Sequence, residues 1–190
     1  MSSQADPDLM KMFKFVADDL EFNRRGEMSP RQIALLEGQR EGLRTGSGCA
    51  GGFAIFLVSL WLVLWLTNAA ATDMKTISMV CCGVMILVLL TLGVALNDYR
   101  LLGIDLRTHR LQSVQGTTHL STQYGPKGGT SYHVTVSDVE FELDKLVYRA
   151  FEIYLQSLPA PRKFRICYTE GRKTILSVEV LDEANFDPLT

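Results

Sequence analysis

CAGGFAIFLVSLWLVLWLTNAAAT at Cys49–Thr72 and TISMVCCGVMILVLLTLGVALN at Thr76–Asn97 decide how this chain is to be read. Neither stretch contains Asp, Glu, Lys, Arg or His, and neither shows a polar face at helical spacing. Each supplies about 20 residues, the number an α-helix needs to cross roughly 30 Å of hydrocarbon at about 1.5 Å per residue. A surface-lying helix would carry a charged stripe. A hairpin buried in a soluble core would need more surrounding chain than 190 residues provide. A secretory signal does not fit, because 48 hydrophilic residues precede the first stretch and its apolar run is too long. No leucine-type lipobox precedes Cys49.

Asp73, Met74 and Lys75 alone separate the two stretches, so the spacing predicts antiparallel spans at about 50–70 and 76–97. Arg40 and Arg44 flank the first; Arg100, Arg107 and Arg110 flank the second; the turn offers only Lys75. That bias puts both chain ends in the cytoplasm and the turn outside. Trp65 and Tyr99–Arg100 sit where interfacial anchors are expected, with Trp61 one turn before Trp65. Without an ionisable group in either span, the chain alone offers no ion path, proton relay or redox carrier. Ser59, Ser78, Cys81, Cys82, Gly83 and Gly93 are small enough for close helix approach, either within the hairpin or against a partner or second copy.

The flanks divide the chain into 1–48, 49–97 and 98–190. In 8–23, Leu9, Met12, Phe13, Val16 and Leu20 recur at spacings of three and four, which predicts one amphipathic helix. Arg24–Met28 breaks it. Ser29 then serves as an N-cap with Pro30 at the first helical position, opening a helix through Ile33 and Leu36 that Gly38 and Gly42 weaken. This pair rests on lipid or on the C-terminal domain. Gly46-x-Gly48-x-x-Gly51 matches a dinucleotide fingerprint in letters only, since no strand precedes it and an apolar span follows.

After the spans the pattern shortens. Strands are expected at Arg110–Thr122 with a bend at Gly116, and at Ser131–Leu143 folded at Ser137-Asp138. Tyr124–Gly129 reads as a turn. Asp144 caps a helix whose stripe is Val147, Phe151, Tyr154 and Leu158, ended by Pro159 and Pro161. Phe164, Ile166 and Tyr168, then Leu176, Val178 and Val180, form a last hairpin around Glu170–Lys173. The fold class is therefore α+β: a two-helix transmembrane hairpin plus a small cytoplasmic domain with a mainly antiparallel or barrel-like sheet and one helix.

Two stretches carry a resemblance. LEFNRRGEMSPRQIALL at Leu20–Leu36 resembles the SHOCT-type helical hairpins attached to many prokaryotic membrane proteins, which implies a tethering or oligomerisation role. FRICYTEGRKTILSVEVL at Phe164–Leu181 resembles the last hairpin of uncharacterised prokaryotic two-span membrane proteins, although Cys167 and Arg172-Lys173 depart from that pattern. The resemblance implies the same architecture, a prokaryotic plasma membrane and no known activity.

Chemistry is sparse. Cys49, Cys81, Cys82 and Cys167 form no C-x-x-C pair and read as reduced packing residues. His109, His119 and His133 are the only histidines; His119, His133 and Cys167 are the one set that a sheet could bring together as metal ligands. Glu140 and Glu142 alternate outward and read as a solvated face. No nucleophile context is present, so no catalytic, cofactor or metal residue is assigned and the chain is not expected to be an enzyme. A net charge of −2, from 19 basic against 21 acidic residues, gives no reason to expect nucleic acid. Arg162, Lys163, Arg165, Arg172 and Lys173 form a candidate patch for lipid headgroups or a partner, or a charged edge that resists aggregation. The expectation is a non-catalytic, membrane-anchored scaffold, regulatory or accessory protein acting through its β domain. Its partners would be the bilayer and a protein or second copy. The alternative is a membrane-tethered sensor of a small ligand or anionic lipid.

Overall fold

A computed structural model describes residues 6–67, 74–125, 129–158 and 162–181. Within the long helices it leaves the side chains of 47–51, 53–54, 57, 60–67, 74–82 and 85 outside the description. The expected turn at Asp73–Lys75 therefore lies largely outside the described residues, and so do the side chains of Trp61, Trp65, Cys49, Ser78, Cys81 and Cys82.

Ten elements follow one another. Helices α1 (Pro7–Phe13), α2 (Ala17–Arg24), α3 (Pro30–Thr67) and α4 (Met74–Thr108) precede strands β1 (Leu111–Tyr124), β2 (Thr130–Val136) and β3 (Val139–Leu143). Helix α5 (Lys145–Ser157) and strands β4 (Lys163–Thr169) and β5 (Ile175–Leu181) complete the chain. Two compact units result: Met1–Ala34 with Arg107–Thr190, and Leu35–Leu106.

In the second unit α3 runs unbroken through Gly38 and Gly42, where a weakening end was expected. α4 likewise continues past Asn97, where the second span was expected to end, to Thr108. The Arg40 guanidinium lies over the Tyr99 ring, 4.8 Å from its centroid, and near Gly103, so α3 meets α4 at this polar end. One helix among the described residues, Ile86–Thr108, is long and apolar enough to cross a membrane, with mean hydropathy 1.5. Large apolar side chains on both helices face outward, including Ile55, Phe56, Leu87, Leu90 and Val94.

The first unit is an α+β fold around a five-stranded antiparallel sheet of order β3-β2-β1-β4-β5. β1 serves two neighbours in turn. Leu111–Thr117 pairs with β4, and Thr118–Tyr124 with β2. The handover falls at the bend expected at Gly116. There the Ser137 hydroxyl donates to the Gln115 carbonyl at 2.8 Å, and a Cβ on residue 116 would lie 2.6 Å from that hydroxyl oxygen. Ser137 itself has φ 51°, the left-handed first position that primed two-residue hairpin turns require.

The bend curls the sheet. Phe141 on β3 and Tyr168 on β4 have ring centroids 5.0 Å apart, although a flat sheet would separate strands three places apart by about 14 Å. Inside the curl lie Val134, Val136, Phe141, Phe164, Ile166 and Val178. α5 closes the core with Tyr148, Phe151 and Tyr154; Asp144 caps it by accepting from the Leu146 amide at 2.8 Å. The expected stripe of Val147, Phe151, Tyr154 and Leu158 faces this core, and Tyr148 joins it against Tyr132.

The N-terminal segment belongs to this unit. The single helix expected over 8–23 is instead two, because Lys14 adopts φ 57° and caps α1, directing Phe15 into the core. The Asp19 carboxylate then accepts from the Val16 amide at 3.0 Å and starts α2. Phe13 meets Phe151 edge-on at 5.5 Å on the core side, while Asn23 reaches Ser177 on the opposite face. The segment therefore wraps β5, an edge strand that would otherwise present unpaired backbone.

Candidate functional site

The wrap is fastened by polar side chains that are all buried: Asp19, Asn23, Ser29, Gln32, Ser177 and Glu179. Ser29 caps α3 as expected, its hydroxyl accepting from the Gln32 amide at 3.1 Å while Gln32 Oε1 accepts from the Ser29 amide at 3.0 Å. This reciprocal pair satisfies two donors at once. The Ser29 hydroxyl also donates to Asp19, which takes a second charge-assisted bond from Arg31 at 2.8 Å. The Asn23 amide lies 2.6 Å from the Ser177 hydroxyl. With its oxygen toward Ser177, its NH₂ donates to Gln32 Oε1 at 2.9 Å and to the Glu27 carbonyl at 3.1 Å. Arg24 pairs with Glu179, and Arg165 lies 3.7 Å from the same carboxylate. The bond to Glu179 raises the Arg24 pKa above its ordinary value. Burial pushes the Cys167 thiol up, and its Sγ faces the Asn23 carbonyl. These groups satisfy one another, which makes the cluster a fastening between the N-terminal segment and β5.

The accessible site lies elsewhere in the unit. A groove of about 1060 Å³ opens between the end of α1, the starts of β2 and α5, strand β3 and the β4–β5 turn. Phe13, Tyr132, Val147 and Ile175 give it an apolar lining. Its charged lining comes from Lys14, Lys145, Arg172 and Lys173 and from Glu140, Glu142 and Asp144. Lys14 and Lys173 both hold left-handed backbone, with φ 57° and 52°. His133 lies at the same groove, its Nε2 3.0 Å from Ser131 Oγ; its Nδ1 is 3.3 Å from Glu140 Oε1, within ion-pair reach but off the hydrogen-bond line.

The five cations singled out in the sequence are split by this fold. Arg172 and Lys173 line the groove, whereas Arg162 and Lys163 stand at the opposite end of β4, about 20 Å away along the strand. Arg165 is taken up by Glu179. Lys14 and Lys145 replace them at the groove, and sequence reasoning missed both. Lys14 lay inside what read as uninterrupted helix, and Lys145 inside a cap sequence; nothing local marks either. The histidine–cysteine set does not assemble. His119 is cross-strand from Thr135 and Cys167 from Ser113, six residues or about 20 Å apart along β1. Among the described residues no three of His, Cys, Asp and Glu gather in metal-binding geometry. No protein-family model matches the chain, and neither a curated protein nor a solved structure is significantly similar to it.

Proposed function

We propose that the chain is a non-catalytic, membrane-anchored binding module. In this reading residues at about 50–70 and 76–97 cross the bilayer as a hairpin, both ends lie in the cytoplasm, and the wrapped sheet unit works there as a scaffold, regulator or accessory subunit. The observation that carries it is the outward apolar surface of α3 and α4. Ile55 is 70 % exposed, Leu87 63 % and Val94 66 %. Contiguous surface of that kind is unfavourable in water and suits lipid tails. Leu146 and Ile153, one above the other on the outer face of α5, support a protein partner for the sheet unit. The groove favours a second reading, in which the unit senses a small anionic ligand or lipid headgroup.

Two measurements test this on the full chain. Tags on both ends should be reached by protease from the same side of sealed vesicles, with the protein retained after an alkaline wash. Release by the wash, or tags on opposite sides, overturns the anchoring. Capture in mild detergent should then recover a stoichiometric protein that Leu146→Lys/Ile153→Lys loses; capture of a ligand alone favours the second reading.

A further inference from the structure

We infer that β3 is a docking edge for an extended segment of another protein, one with basic residues at alternate positions and apolar residues between them. The inference rests on the first reading above, in which the sheet unit binds a protein. Register carries it. Ser137-Asp138 joins β2 to β3 as a two-residue hairpin turn, so Val136 and Val139 form the hydrogen-bonded pair that closes it. Alternation then makes Val134–Phe141 and Tyr132–Leu143 hydrogen-bonded pairs, with Thr135–Glu140 and His133–Glu142 lying between them. The main-chain N–H and C=O of Glu140 and Glu142 therefore turn away from β2, toward the side where β3 has no neighbouring strand. Among the described residues none of these four groups has a hydrogen-bond partner. The opposite edge, β5, is wrapped, so β3 is the edge at which a strand can be added.

Side chains state the occupant. Those of a strand paired to β3 stand beside the exposed Glu140 and Glu142 on the outer face, and beside the buried Phe141 on the core side. Cationic cross-strand neighbours suit the two carboxylates, and apolar residues between them suit the Phe141 side. The groove leaves room for such a strand, since it opens along Glu140 and Glu142 and offers Tyr132, Val147 and Ile175 as apolar lining. Its cations stand on other elements, the α1 cap, α5 and the β4–β5 turn, so the direct cross-strand neighbours are the glutamates. A second copy pairing β3 to β3 would set glutamate against glutamate, which is unfavourable.

The test is fluorescence anisotropy of short labelled peptides on the full chain in neutral detergent. A peptide alternating valine and lysine should bind saturably, and one alternating valine and glutamate should bind about tenfold more weakly. N-methylation of one alternate set of amides in the lysine peptide should abolish binding, while methylation of the other set leaves it, because only one edge of the peptide pairs with β3. That arm uses the parent chain and does not depend on a variant folding. Glu140→Lys/Glu142→Lys should reverse the preference, so that the glutamate peptide binds the better of the two. Absence of saturable binding by the lysine peptide, survival of binding through both methylations, or a preference that the charge reversal leaves in place overturns the proposal. Spontaneous disulfide cross-linking between two copies of Glu142→Cys would assign the edge to a second copy and overturn it as well. The capture experiment above separates the two levels. A stoichiometric partner lost with Glu140→Lys/Glu142→Lys supports the docking edge; one that this variant retains leaves the binding-module reading standing and overturns this one.

Discussion

The two edges of the sheet are treated in opposite ways. β5 is wrapped on both faces by the first 24 residues, so that Ser177, Val178, Glu179 and Leu181 are all buried along one short strand. β3 has no comparable wrap among the described residues; Glu140 and Glu142 point outward and the groove opens beside it. An edge strand can be covered or can be kept short and charged, and this fold does one at each end. The covered edge holds a self-satisfying polar network, which stabilises and offers nothing to a ligand. The charged edge borders an open cleft lined by Lys14, Lys145 and Lys173 together with Glu140, Glu142 and Asp144.

The sharpest way to break that contrast is a matched pair of substitutions. Asp19→Ala leaves the buried Ser29 hydroxyl without its acceptor and Arg31 without its carboxylate, and should cost about 2 kcal/mol, whereas Glu140→Ala on the open edge should cost less than about 0.5 kcal/mol. Thermal or urea unfolding of the two variants side by side measures it; equal losses would erase the distinction. A smaller effect is expected at the handover between the two halves. Gly116→Ala drives a methyl group against the Ser137 hydroxyl and should destabilise by about 1–2 kcal/mol. Ser137→Gly should recover most of that in the double variant, because it removes both the contact and a left-handed serine.

The smallest effect is a pH dependence of the wrap. Tyr154 donates to Asp6 at 2.6 Å, and burial, then this bond, raises its pKa well above the ordinary tyrosine value. A raised pKa means the fold favours the neutral phenol. Its contribution is fully present below the ordinary value of about 10 and is lost as pH rises through the raised one. Tyr154→Phe should cost about 1 kcal/mol at neutral pH and flatten the alkaline loss of stability. An unchanged alkaline profile would show that Asp6 and Tyr154 do not fasten α1.

Much of the fold was legible because the deciding signals are local. Alternation placed β2, β3, β4 and β5; Asp144 and the two prolines bracketed α5; Ser29-Pro30 marked the start of α3. The misses share a cause. Gly38 and Gly42 read as helix-weakening, yet propensity costs of about 1 kcal/mol each are small against a helix of 38 residues. The 8–23 periodicity concealed the break at Lys14, since a left-handed cap alters direction without altering the apolar spacing. The site was hardly legible at all: Arg172 and Lys173 were named for charge, but their companions lie 28 and 159 residues away in sequence.

Composition alone determined that 49–72 and 76–97 are two uncharged apolar stretches, and periodicity alone determined an α+β remainder, because both signals are carried by near neighbours along the chain. Only the tertiary structure decided that the N-terminal residues guard β5, that Arg165 is consumed by Glu179, and that lysines from three elements share one groove. Those outcomes turn on which distant side chains reach bonding distance, and bonding distance is set by the curl of the sheet.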